Sequence, residues 1–233
     1  MDWRAVCAAV IPCLNEEAAI KPLVTGVRRH VTTVFVVDDG STDGTATSAR
    51  TAGATVLRHT TSLGKGAALG TGWAKARDSG FTWALTLDGD GQHAPQDIPS
   101  FFNACERSSA RLVVGNRMHQ AHRIPWLRRC VNVWMSQQIS MLADCELPDS
   151  QCGFRLMNLE DWARLPVTAS HYEIESEVVL LFARAGLAIE FVPIEAIYRD
   201  ERTKIRPWRD TMRWLRWRRQ ARANQPRMDT KEH

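Results

Sequence analysis

Short runs rich in Val, Ile and Thr recur along the first half of the chain. Each precedes a longer stretch of helical spacing, and this alternation restricts the fold more than any other feature. Val6 to Ile11 reads as a strand and Glu17 to about Arg29 as the helix after it. The pattern repeats at Val34 to Asp38 with Thr42 to Ala52, at Thr55 to Arg58 with Lys65 to Ser79, and at Trp83 to Leu87 with Pro95 to Arg107. Pro95 suits a first helical turn, where its missing N–H has no partner to lose. Leu112 to Gly115 is a further short strand. Repeated βα units imply an α/β fold with a mainly parallel sheet covered by helices on both faces. Past this point the alternation breaks. Pro125 to Leu142 and Glu173 to Ala185 read as helices, and Leu187 to Tyr198 as a strand interrupted at Pro193. With 233 residues, 44% of them hydrophobic, the chain has the material for one core rather than two. Residues 1–206 are expected to form that domain and 207–233 a basic helix with a polar tail.

Several classes of protein are excluded by composition. The apolar runs Val6 to Leu14 and Val178 to Val192 are broken by Pro12 and Arg184, short of the roughly 18 residues that cross a bilayer. The first apolar run passes directly into Asn15-Glu16-Glu17, which argues against a secretory leader. Six cysteines form no C-x-x-C pair, so reduced thiols and a cytoplasmic location are expected rather than zinc or a disulfide framework. Charge is uneven. Residues 202–233 carry 11 Lys or Arg against three acids, a net of +8, whereas the preceding residues sum to −4. Such a tail calls for phosphate, whether of an anionic bilayer, a nucleic acid or a charged substrate.

In open α/β sheets ligands bind beyond the carboxyl ends of the strands. Here those ends are Pro12-Cys13-Leu14-Asn15-Glu16, Asp38-Asp39-Gly40-Ser41-Thr42-Asp43-Gly44-Thr45 and Asp88-Gly89-Asp90-Gly91-Gln92-His93, three acid-bearing segments on one rim. Asp88-x-Asp90 with Gln92 and His93 supplies hard oxygen ligands on a tight turn, which suits Mg²⁺ or Mn²⁺ bridging nucleotide phosphates. The competing account is a polar loop that caps the next helix. Asp38-Asp39 admits the same two accounts: a turn and N-cap, or carboxylates that accept from a base N–H or a ribose hydroxyl. Leu63-Gly64-Lys65-Gly66-Ala67-Ala68 opens a helix where amides and a lysine can meet phosphate. Its glycines also loosely match a dinucleotide fingerprint, although they sit in the third βα unit and do not directly follow the strand.

Together, P-C-L-N-E-E, V-V-D-D-G-S-T-D-G-T, L-G-K-G-A-A-L and L-D-G-D-G-Q-H, in this order, resemble the inverting glycosyltransferases of family 2, which have a GT-A, Rossmann-like fold. G-N-R-M at 115–118, D-S-Q-C-G-F-R at 149–155, Y-E-I-E-S-E at 172–177, V-P-I at 192–194 and I-Y-R-D-E-R-T-K-I-R-P at 197–207 extend the likeness to the dolichol-phosphate mannose synthase-like branch. The resemblance implies a nucleotide-sugar donor, GDP-mannose or a UDP-hexose, and a polyprenyl phosphate acceptor. It implies a nucleotide site at Pro12, Leu14, Glu16, Val37, Asp39, Lys65 and Asp88, and a metal site at Asp88, Asp90 and Gln92. Arg117, Arg202 and Lys204 would face acceptor phosphate. Asp88, Asp90, Arg117 and Arg202 would carry catalysis. Leu14 departs from a frequent Tyr, and Cys152 from a frequent Ser or Thr.

An acceptor phosphate is already ionised and needs no base, whereas a lipid or glycan hydroxyl would need one, with Asp149, Glu173 and Glu175 as candidates. The tail places Trp208, Met212 and Leu215 on one helical face among seven arginines from Arg206 to Arg222, a composition suited to lying in a headgroup region. The enzyme is therefore expected to be peripheral on the cytoplasmic face of a membrane. A nucleic-acid-binding protein that uses this tail is the alternative from another class, but the acidic rim argues against it and no nucleic acid is expected as a partner.

Overall fold

Strand β1 (Cys7–Cys13) is buried along its whole length, and the sheet extends from it in both directions. In the computed structural model, which describes residues 1–118, 126–195, 197 and 207–223, seven strands form one sheet in the order β3-β2-β1-β4-β6-β5-β7. β2 (Thr33–Asp38) and β4 (Trp83–Thr86) flank β1 in parallel, and β3 (Thr55–Arg58) lies parallel outside β2. The β1–β4 ladder runs from Cys7 opposite Trp83 to Val10 opposite Thr86. Pro12, which has no N–H, thus falls where β1 is no longer paired on both sides.

The other half of the sheet departs from the pattern. β6 (Arg155–Asn158) runs antiparallel between β4 and β5 (Leu112–Asn116), and β7 (Ile189–Pro193) closes the edge parallel to β5. The expectation of a mainly parallel sheet holds, with β6 the exception. Its four residues carry no turn punctuation, and Arg155 and Asn158 disguise a fully buried strand. Asn158 also starts a short helix, α7 (Leu159–Arg164), by accepting from the amides of Glu160 and Asp161 at 3.1 Å. Pro193 ends β7 rather than interrupting it.

The helices are α1 (Trp3–Val6), α2 (Glu17–Val27), α3 (Thr45–Thr51), α4 (Lys65–Asp78), α5 (Ile98–Ser108), α6 (Trp126–Ala143), α8 (Ile174–Arg184) and α9 (Pro207–Ala223). Helix α3 begins three residues later than the spacing predicts, because Asp38 draws the Ser41 amide into a turn at 2.8 Å. Pro95 to Asp97 forms a 3-10 turn ahead of α5. Helix α4 packs across β1 and β2, with Trp73 donating from Nε1 to Thr86 Oγ1 at 3.0 Å. Phe101 of α5 stacks on Phe154 at 4.2 Å between ring centroids, which fixes the residues before β6 against the core.

The chain divides into two units, Met1–Glu201 and Arg202–His233. In the second, the rings of Trp214 and Trp217 lie 6.3 Å apart on α9. Among the described residues no helix is long and apolar enough to cross a membrane.

Candidate active site

The loops after β1 and β2 are sewn together by backbone amides. Asn15 donates to Ser41 Oγ at 2.9 Å and accepts from the Thr42 amide at 2.9 Å, while the Glu16 amide reaches Thr45 Oγ1 at 2.8 Å. Asn15 sits at φ 53°, a left-handed conformation that Asn tolerates better than most residues. The third strand end joins them through Gly89. A Cβ there would lie 2.5 Å from Cys13 Sγ and 3.0 Å from the Pro12 carbonyl, so only glycine permits this approach. Pro12, Cys13 and Glu16 therefore border the Asp88-Gly89-Asp90 turn, with Leu14 between them in sequence, and Val37 pairs with Pro12 across the ladder.

The acidic pair after β2 separates into two roles. Asp38 is inaccessible, holding the Ser41 turn and lying 3.2 Å from Arg58 Nε. Asp39 organises the approach to α4. It accepts from His59 Nδ1 at 2.6 Å, Ser62 Oγ at 2.8 Å, and the Leu63 and Gly64 amides at 2.9 Å. Burial opposes its charge, but the His59, Leu63, Ser62 and Gly64 donors outweigh burial and hold the carboxyl below its ordinary range.

Where the sequence suggests a phosphate cradle, the opening of α4 is already occupied. The Leu63 and Gly64 amides serve Asp39, and the Ala67 amide donates to the Ser170 carbonyl at 3.0 Å. Gly64 and Gly66 admit the backbone of Ser170 and Ala169, which a Cβ at either position would meet at 2.5 Å. Close packing, not a dinucleotide, thus accounts for the glycine spacing. Lys65 reaches inward instead: its Nζ lies 2.6 Å from Asp88 Oδ1 and 2.5 Å from Glu175 Oε1, with the Tyr172 ring 5.8 Å away. Burial opposes the ammonium, but Asp88 and Glu175 together keep it charged, above the ordinary lysine range. Asp88 is held well below the ordinary carboxylate range, since Lys65 and His93, its Nε2 at 3.4 Å, outweigh burial.

Asp88 Oδ1 is held by Lys65 and Oδ2 faces His93 Nε2, and a Cβ at Gly153 would lie 2.5 Å from Oδ1, so only glycine leaves room for the carboxylate there. Asp90 accepts from the Gln92 amide at 3.0 Å, and the Gln92 carbonyl accepts from Ile197 at 3.0 Å. Among the described residues no cluster of three His, Cys, Asp or Glu forms a ready cage. The donor set nonetheless fits Mg²⁺ or Mn²⁺, ions that take one or two carboxylates, keep waters, and complete their shell with substrate phosphate. The Asp88 carboxylate, kept charged by Lys65 and His93, and the Asp90 carboxylate two residues on are groups of that kind, with the Gln92 amide close by in sequence.

Arg117 is buried in a bidentate pair with Asp149. Its Nε and Nη2 donate to Oδ2 and Oδ1 at 2.9 and 2.8 Å, and its amide adds a third bond at 3.0 Å. Of the base candidates, Asp149 is thus clasped by Arg117 and Glu175 is paired with Lys65, while Glu173 is buried at the start of α8. Arg202 and Lys204 lie outside the described residues. Arg155 is the residue that sequence reasoning missed. It is buried and donates to the carbonyls of Cys152, Glu175 and Ser150 at 2.7 to 2.9 Å, bracing the segment that carries Gly153 against α8. The only signal was a lone charge in D-S-Q-C-G-F-R, with no periodicity to place it.

These depressed carboxyls predict an acid limit on stability. Burial opposes charge on Asp149 as well, yet Arg117 holds its carboxyl low. Asp39, Asp88 and Asp149 contribute fully above the unfolded carboxyl value of about 3.9 and lose that contribution as pH falls toward their folded values. The urea midpoint should therefore be flat from neutrality to about pH 5 and fall steeply below about pH 4. A midpoint that rose on acidification would contradict the assignment.

Comparison with known proteins sets this geometry in context. Residues 8–161 match the family described as Glycosyl transferase family 2. The chain is 29% identical over 214 residues to UDP-N-acetylglucosamine--dolichyl-phosphate N-acetylglucosaminyltransferase of Methanococcus voltae, covering 82% of this chain and 85% of that one. It is 28% identical over 205 residues to undecaprenyl-phosphate mannosyltransferase of Micrococcus luteus, covering 82% and 83%. Glucosyl-3-phosphoglycerate synthase of Mycobacterium tuberculosis bound to UDP superposes with a TM-score of 0.75 at 21% identity, over 94% of this chain and 80% of that one. The same synthase with Mn²⁺, UDP and phosphoglyceric acid gives 0.72, also at 21% identity, over 96% and 80%. At that identity the likeness establishes the fold, which is the GT-A architecture expected from the sequence.

Proposed function

The chain belongs to glycosyl transferase family 2 and is a glycosyltransferase, and from that premise we propose that it moves a hexose from a nucleotide diphosphate donor to a polyprenyl phosphate with inversion. The observation that carries this reading is the rim where the Asp88-Gly89-Asp90 turn after β4 closes on Pro12 and Glu16 after β1, with Asp88 kept charged between Lys65 and His93. Pro12, Leu14, Glu16, Val37 and Asp39 form the nucleoside side of the site. Asp39 acts there by holding the loop before α4 in place, since its own carboxylate is spent on that loop.

A bound Mg²⁺ or Mn²⁺ would be held by Asp88, Asp90 and Gln92 and would offset charge on the departing diphosphate. Lys65, fixed between Asp88 and Glu175, adds positive charge beside the same group. An oxygen of the acceptor phosphate forms the new bond to the anomeric carbon as the bond to the donor's β-phosphate oxygen breaks. The electron pair leaves with the nucleoside diphosphate, so no proton needs removing. The internal pairing of Asp149 and Glu175 supports this choice over a hydroxyl acceptor, because neither is placed as a base. Arg202 and Lys204 supply the field that attracts acceptor phosphate, while Arg117, buried and matched by Asp149, braces the segment after β5. Helix α9, basic and Trp-rich, would hold the enzyme at the membrane surface where that lipid resides.

A donor screen tests the reading. Nucleoside diphosphate release from UDP- and GDP-sugars should appear only when polyprenyl phosphate is supplied, and should stop in chelator. Release that responds to a glycan hydroxyl but not to the lipid phosphate would overturn the acceptor assignment.

A further inference from the structure

Helix α6 is held to the domain by its smaller side chains. Its buried residues are Ser136, Ile139 and Leu142. Ser136 Oγ accepts from the Ser150 amide and Ser140 Oγ from the Leu147 amide, each at 3.0 Å. Arg184 of α8 reaches the Leu142 carbonyl at 3.4 Å. The large apolar side chains face outward: Trp126 is 75% exposed, Leu127 61% and Met141 63%, with Val131 at 43% and Trp134 at 41%. Most of the large exposed hydrophobics among the described residues are on this one helix. At about 100° per residue, Trp126, Cys130, Met141, Trp134, Leu127 and Val131 share an arc of roughly 140°, interrupted by the uncharged Gln137 and Gln138. Soluble surfaces scatter such residues singly, and a contiguous strip marks an interface.

The charges around the strip select the partner. Arg128 and Arg129 fall on its opposite margins, each about 60° beyond the apolar arc. No Asp or Glu occurs from Val113 to Ala143. Leu, Met and Val in the middle, Trp among them and Arg on both margins match a lipid surface with anionic headgroups: acyl boundary below, phosphate at the sides. No described helix is long and apolar enough to cross, so α6 would lie in the plane.

We propose that α6 lies in the interface of an anionic bilayer, burying Trp126, Leu127, Val131, Trp134 and Met141 and pairing Arg128 and Arg129 with lipid phosphate. This deepens the reading of the enzyme as acting on a lipid phosphate and rests on it for its purpose, but it does not need that acceptor for the binding itself.

The test uses the full chain and phosphatidylcholine vesicles with and without phosphatidylglycerol. The wild type should sediment with the anionic vesicles, and less so at high salt. Leu127→Ser/Val131→Ser/Met141→Ser should lower the partition coefficient at least tenfold while the far-UV spectrum and Tm stay put, with α9 intact in both proteins. Unchanged binding overturns the proposal. Because three changes can disturb folding, a second measurement uses the otherwise wild-type chain. A fluorophore on exposed Cys130, in a Cys145→Ser background, should be quenched by bromine-labelled acyl chains, and absence of quenching overturns the proposal. If light scattering instead shows a dimer that the triple variant dissociates without loss of vesicle binding, the strip is a subunit interface and the proposal falls. A chain that binds vesicles through α6 yet ignores polyprenyl phosphate in the donor screen leaves this inference standing and defeats the acceptor reading.

Discussion

Alanine in place of Asp90 is expected to lower kcat by roughly 10²–10³-fold, the effect of withdrawing about 3–4 kcal/mol of electrostatic stabilisation from a departing diphosphate. It should leave stability nearly untouched. The Asp90 carboxylate makes one local bond, to the Gln92 amide, and sits half-buried on the turn after β4. Such a change ordinarily stays near about 0.5 kcal/mol. Asp88 is a poorer probe, because removing it also strips Lys65 of a partner at 2.6 Å. The measurement is nucleoside diphosphate release at saturating Mn²⁺, with thermal unfolding alongside. Wild-type turnover in the variant, or wild-type turnover in chelator, would sink the metal assignment.

The largest stability effect is expected at Asp149. Alanine there takes two charge-assisted bonds from a buried guanidinium and removes the acceptor of the Arg117 amide. Breaking one side of such a pair costs about 3–5 kcal/mol, a large share of the roughly 5–15 kcal/mol that holds a domain together. The urea midpoint should fall accordingly. The mechanism has its own control, because the cost arises from an uncompensated charge and not from loss of the pair. Arg117→Met combined with Asp149→Leu should therefore be clearly more stable than Asp149→Ala alone. A single variant that lost less than about 1 kcal/mol, or a double variant worse than the single, would show that the pair is not buried as described.

Much of the rim was legible because a parallel βα unit leaves its carboxyl-end loop free of ladder and helix constraints, and such loops carry concentrated Asp, Gly, Ser and Thr. Asp88, Asp90, Pro12 and Glu16 were placed on one rim this way, and the three strand ends do converge. Lys65 illustrates what such a reading cannot reach. A lysine among glycines at a helix start has the composition of a phosphate site, and nothing local reveals Ser170 and Glu175, more than a hundred residues away, filling the space around it. Arg155 and the antiparallel β6 were missed for the opposite reason. Four buried residues with a polar one at each end have no period to read.

Short-range physics thus settled the repeated βα units, the sheet's main direction and the acidic rim, because side-chain period and turn chemistry act over a few residues. The partners of Lys65, Arg117 and Asp39 were settled by tertiary structure, because charge pairs form between segments whose separation in sequence carries no information. The same holds for α6. Its helical period is visible in the chain, but which side faces the domain depends on where Ser150, Leu147 and Arg184 come to lie, and their positions turned its serines inward and its tryptophans out.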